Sequence, residues 1–91
     1  MNMFYLDKSD LPEECIKDCS AQGSVDDAVD YWVDQVKLTC TRKEMIQGLK
    51  AYGNWTKEEL EELDDRELKE KVLWLACCDF KEGNDSFSLE N

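Results

Sequence analysis

Apolar residues recur along this chain at spacings of three and four, the pattern of helices that bury one face. The first segment begins near Ser9, carries Pro12 in its first turn, and sets Glu13 and Glu14 at the positive end of the helix dipole. Leu11, Cys15, Ile16 and Cys19 form its narrow apolar stripe, and Gly23 is placed just past its end. Ser24 caps the second helix, with Asp27 at the reciprocal capping position. Val25, Ala28, Val29, Trp32, Val33 and Val36 then mark one face, with Asp26, Asp30 and Asp34 opposite and Tyr31 beside them. Thr41 to Glu44 is a capping box that opens a third helix, whose inward positions are Met45, Ile46, Leu49 and Tyr52, with Gly53 as its terminator. A second box, Thr56 to Glu59, opens a short helix carrying Leu60 and Leu63. A third, Asp64 to Glu67, opens a longer one with Leu68, Val72 and Leu75 on one face. Val72 to Cys78 is apolar almost all round, so this last helix is predicted to be central.

Strand signals are poor: there is no sustained alternation and no Asn-Gly turn. No repeat of 20–50 residues is visible either. The pattern predicts an all-α fold, a single small domain of four or five short helices over residues 11–80. An apolar N-terminal tail, 1–10, precedes it, and a polar C-terminal tail, 81–91, frays beyond it. Trp32, Trp55 and Trp74 are the expected large core contributors. Trp55 follows Gly53-Asn54 in a tight turn, where it either plugs the turn against the core or anchors a partner.

The length of 91 residues is that of one domain, with a radius of gyration near 12 Å and a diameter of about 30 Å. Apolar residues at 42% supply a core despite the charge. The balance of 22 acidic against 11 basic residues gives a net charge of −11, which repels nucleic acid and anionic lipid and favours basic partners. Asp26, Asp30 and Asp34 are spaced by four on one helical face, where like charges oppose the helix by a few tenths of a kcal/mol per pair. No basic residue of that helix answers them before Lys37, so the stripe reads as a surface for use. Duplex DNA carries a charge every ~1.7 Å. Eleven net charges over about 30 Å give one per about 3 Å, and the stripe alone one per about 6 Å. The stripe therefore needs help from Asp27 and from the run Glu58 to Glu70, which holds eight acidic residues against Arg66 and Lys69.

Candidate chemistry adds little. Histidine is absent, which removes the usual general base and the common triads. No phosphate-binding glycine loop or EF-hand loop is present, and no catalytic residue or cofactor is expected. Cys15, Cys19, Cys40, Cys77 and Cys78 are odd in number, with no secretory leader, so a disulfide framework is not expected. Cys15 and Cys19 share a helical face that Cys40 or Cys77 could complete as a zinc site. Without histidine or a C-x2-C knuckle, the expectation is buried thiols and no metal. Adjacent Cys77 and Cys78 point about 100° apart on a helix. No apolar run reaches 18 residues, so a soluble cytoplasmic protein is expected.

The stretch Tyr52-Gly53-Asn54-Trp55-Thr56, then Glu58-Glu59-Leu60, Leu63, Glu67-Leu68, Val72-Leu73-Trp74-Leu75-Ala76 and Asp79, resembles the C-terminal half of short proteins encoded by bacteriophages and mobile elements, with a pattern "YGxW…EEL…LWLA…D" and no settled activity. The resemblance covers about 30 residues and implies a bacterial host cell. The preceding helix–turn–helix is faintly similar to SAP-like nucleic-acid modules, but those present basic residues where this chain is acidic. Charge and resemblance together lead to one expectation: a small acidic inhibitor of a host nucleic-acid-handling protein, of the DNA-mimic, anti-restriction or anti-CRISPR type. Its expected contact residues are Asp26, Asp27, Asp30, Asp34, Glu58, Glu61, Glu62 and Asp65. The alternative is a helical interaction module without mimicry, anchored by Tyr5, Tyr31 or Trp55, or a chain that forms a homodimer through its apolar last helix.

Overall fold

A computed structural model describes residues 3–21 and 25–90. Five helices lie between two short strands: β1 (Met3–Asp7), α1 (Glu13–Ser20), α2 (Val25–Trp32), α3 (Arg42–Tyr52), α4 (Lys57–Glu61), α5 (Asp65–Lys81) and β2 (Ser86–Glu90). The Gly23 terminator and Ser24 cap lie outside the described residues. The radius of gyration is 12.4 Å and the extents are 33 × 24 × 21 Å.

Three helix starts have a side-chain cap. Thr41 accepts a hydrogen bond from the Glu44 amide, and the Glu44 carboxylate accepts one back from the Thr41 amide, closing the box that opens α3. Thr56 and Asp64 accept from the Glu59 and Glu67 amides, starting α4 and α5. α3 stops at Gly53, whose φ of 99° is left-handed and open to glycine without strain. α2 ends at Trp32, one turn earlier than its apolar pattern predicts; the chain loosens into turns, yet Val33 and Val36 still point into the core.

α5 is the central element. It packs against α1, α2, α3 and β2, and seven of its 17 residues are buried: Leu68, Val72, Leu73, Leu75, Ala76, Cys77 and Phe80. That matches the central place expected for the apolar run.

The all-α expectation is corrected. β1 and β2, drawn from the two ends of the chain, pair antiparallel with Leu6 opposite Phe87. Lys8 N–H extends the pairing to the Asp85 carbonyl at 2.9 Å. Leu6 and Phe87 are both buried, and β2 lies against α3 and α5, so the pair covers one end of the helical core. Two core assignments are corrected as well. Tyr52 is 51% exposed because it is the last residue of α3, where the chain turns away. Trp74 is 37% exposed because it lies about 200° around α5 from Val72, on the outer face. Trp32 is buried as expected, and its indole N–H donates to the Asp18 carboxylate at 2.7 Å, tying α2 to α1. Among the described residues no helix is long and apolar enough to cross a membrane.

Candidate functional site

The carboxylates singled out by the sequence are all exposed, and the fold gathers four of the eight residues, Asp30, Asp34, Glu61 and Asp65, around the first turn of α5. Arg66, on that turn, reaches back to the end of α2 and the turn that follows it, where Asp34 lies although the sequence pattern places it on the helix. Its guanidinium donates to both oxygens of Asp34, at 3.0 and 3.2 Å, and lies 3.9 Å from Asp30 and 3.5 Å from Glu70. The paired hydrogen bond to Arg66 holds the Asp34 carboxyl below its ordinary range. On the other side of the turn, Arg42 donates to Asp65 at 3.0 Å and to the Glu61 carbonyl at 2.9 Å. Lys69 donates to the Val36 carbonyl. The second acidic cluster thus meets the first at the start of α5. The stripe that no cation of its own helix answers is answered at Asp30 and Asp34 by an arginine 32 residues after Asp34.

Glu61 is paired within α4 to Lys57 at 3.7 Å. Among the described residues the exposed Asp27, Glu58 and Glu62 have neither ion pair nor side-chain hydrogen bond, which leaves them to face solvent or a partner.

Next to this charged junction the surface opens into a groove of about 260 Å³, lined by Asp26 and Val29 of α2, Trp55 of the turn before α4, and Glu70, Lys71 and Trp74 of α5. Trp55 is half-buried and packs on the core, so it is both plug and wall. The Lys71 ammonium lies 5.4 Å from the centre of the Trp55 ring, a cation on the negative face of an indole. Two indoles and two carboxylates around one hollow are suited to a positively charged side chain. The volume is below the ~300–1,000 Å³ of most small-molecule pockets, which fits the end of one long side chain better than a free cofactor. Of the functional residues here the sequence pointed to Asp26 and Trp55, placed Trp74 in the core, and gave no role to Lys71 in the groove or to Arg66 at the junction beside it. The signal existed for two of them: Glu67, Lys71, Trp74 and Cys78 follow i, i+4, i+7, i+11 along α5, the outer face once Leu68, Val72 and Leu75 define the inner one.

A different chemistry lies under α1. Cys15 and Cys19, one turn apart on α1, meet Cys77 of α5 in the core, with all three sulfurs within 4.8 Å of one another. The three residues are 0%, 1% and 0% exposed. Cys19 and Cys77 are joined as a disulfide across a Cα–Cα distance of 5.5 Å, a separation well suited to the bond. This overturns the expectation that the cysteines are all free thiols: packing of α1 on α5 brings together two residues 58 apart in sequence. Cys15, Cys40 and Cys78 remain thiols. Burial, and then the nearby Asp18 charge, push the Cys15 thiol up to about 11.

No protein-family model, curated protein or solved structure matches this chain.

Proposed function

We propose that this protein is a small acidic binding module for a basic partner protein, acting as an inhibitor of a nucleic-acid-handling protein in a bacterial cell. One observation carries the reading: the groove in which Trp55 and Trp74 stand beside Asp26 and Glu70. A lysine or arginine of the partner enters between the indoles, where a cation on an aromatic face contributes about 0.5–2 kcal/mol as water is excluded. Lys71 of this chain marks the position and is displaced or shared. The surrounding carboxylates, Asp27, Glu58 and Glu62 among them, supply a long-range field that speeds encounter with a basic cleft.

DNA mimicry is the second reading, favoured by those same three unpaired carboxylates and by the charge of −11 over a 33 Å long axis. Against it, Arg42 and Arg66 interrupt the negative surface where the two clusters meet.

Tryptophan fluorescence tests the proposal directly. The protein is titrated with a short peptide bearing one arginine between apolar residues, and with its citrulline counterpart. Arginine-dependent quenching that Trp74→Ala abolishes supports the groove. Affinity capture from bacterial lysate, with the parent and Trp74→Ala side by side and eluted by a salt gradient, then names the partner. Equal capture by both proteins would sink the reading. Elution at intermediate salt that is lost on Asp27→Lys with Glu62→Lys, and kept on Trp74→Ala, would instead favour mimicry.

A further inference from the structure

Three cysteine sulfurs from two helices, fully enclosed and with no polar side chain buried among the described residues, constitute a donor set that the groove does not use. We infer that, when Cys19 and Cys77 are reduced, Cys15, Cys19 and Cys77 form a closed three-thiolate site for one soft metal ion, cuprous copper.

Donor type and spacing both lead there. Thiolates select soft ions, copper(I) and zinc foremost. A planar three-coordinate ion with metal–sulfur bonds of about 2.3 Å sets its sulfurs about 4 Å apart; all three here lie within 4.8 Å, and opening the Cys19–Cys77 bond lets that pair part to this distance. Cys15 and Cys19 are one helical turn apart and so face the same side, and Cys77 faces them from α5. Zinc in closed sites is held by four ligands. Here no fourth histidine, cysteine or carboxylate joins the three among the described residues, and their burial leaves no face for water. Copper(I) is satisfied by three sulfurs.

The chemistry balances. A dithiol reductant gives two electrons and two protons to the Cys19–Cys77 bond and is itself oxidised to a disulfide. The ion then displaces up to three thiol protons to solvent as the metal–sulfur bonds form. Oxidation removes two of the three ligands, so the bridge and the ion exclude each other. Both hold α1 onto α5, and the same pair of helices is therefore clamped in either state.

The test uses the full chain carrying Cys40→Ser and Cys78→Ser, so that only the cluster remains. Phosphine-reduced protein is titrated anaerobically with copper(I) against a coloured cuprous chelator, beside the same protein with its bridge intact. The expected result is one ion per reduced chain, none on the bridged form, and a copper-dependent rise in melting temperature. Cys15→Ala, checked for fold by far-UV circular dichroism, should weaken retention by at least about tenfold, since even an outer-shell loss weakens metal sites 10- to 100-fold. Zinc should be held at least about tenfold more weakly than copper(I). Failure of the reduced chain to compete with the chelator, or equal uptake by the bridged form, would overturn the site without reliance on any variant. Zinc held as tightly as copper(I) would overturn the three-coordinate assignment.

Discussion

Phe87→Ala separates a structural C-terminal strand from a fraying tail. Phe87 is 3% exposed, stands opposite the buried Leu6 and belongs to the strand that packs on α3 and α5. Truncating a core phenylalanine to alanine costs about 3–5 kcal/mol, from lost transfer energy and the cavity left behind. The strand is only five residues long, so it can detach before the whole domain unfolds, which places the loss at the lower end, about 3 kcal/mol. For a domain this size each kcal/mol moves the melting temperature by about 4–8 °C, giving a fall of about 12–24 °C. Urea unfolding followed by far-UV circular dichroism should show the midpoint falling with little change in slope. Ser88→Ala, on the exposed side of the same strand, is the control and should stay within about 0.5 kcal/mol of the parent. A Phe87→Ala effect as small as that control's would mean that the strand contributes nothing and would refute the reasoning.

Three further outcomes follow from individual contacts. Trp32→Phe keeps most of the buried ring but removes the 2.7 Å bond to Asp18, and should cost about 1.5 kcal/mol in urea unfolding, the low end for a hydrogen bond to a charged group; a loss below about 0.5 kcal/mol would show the bond to be idle. In the bridged protein, iodoacetamide at pH 8 should label Cys40 and Cys78 and spare Cys15, which is enclosed and has its thiol pushed up to about 11. Mass spectrometry that finds three labels on the native chain would contradict the enclosure. Asp79 is raised from its ordinary range, first by burial and then by Glu82. The folded state therefore favours its protonated form, and this contribution to stability, complete below the unfolded pKa, is lost as pH rises through the folded one. Asp79→Asn should melt higher than the parent at pH 7, and the gain should vanish near pH 3; an equal gain at both values would show that ionisation is not its source.

The last three helices were legible because each of their starts is written in a few adjacent residues. Thr41 with Glu44, Thr56 with Glu59 and Asp64 with Glu67 act over one turn, and all three mark observed starts. What the sequence hid depends on separation. Ser86-Phe87-Ser88-Leu89 does alternate, but a four-residue alternation is weak evidence, and its partner strand lies about 80 residues away. The Cys19–Cys77 approach and the reach of Arg66 to Asp34 are equally non-local. Trp74 was a different failure. An apolar run reads as buried, although its place on the helical wheel beside Glu67 and Lys71, about 200° from Val72, was there to be used.

The acidic stripe of α2 gains its meaning from this long-range pairing. Asp26 and Asp30 lie on α2 and Asp34 in the turn just after it, and residues of α5 meet the three at different places. At the C-terminal end, Arg66 gathers Asp34, Asp30 and Glu70, and the carboxylates there hold two helices together. At the N-terminal end, Asp26 lines the groove with Trp55 and Trp74, beside Glu70 and Lys71. One row of like charges thus serves as a clasp at one end and as a rim at the other. The two ends should respond differently to substitution. Asp34→Asn, which removes the charge that Arg66 grips in its paired hydrogen bond, should weaken the fold in low salt and leave the arginine-peptide affinity nearly intact. Asp26→Asn should weaken the arginine-peptide affinity more than Asp34→Asn does, because Asp26 lines the groove. If both changes weakened peptide binding equally and neither affected melting, the row would act as one undivided surface, as mimicry requires, and the clasp at Arg66 would be incidental.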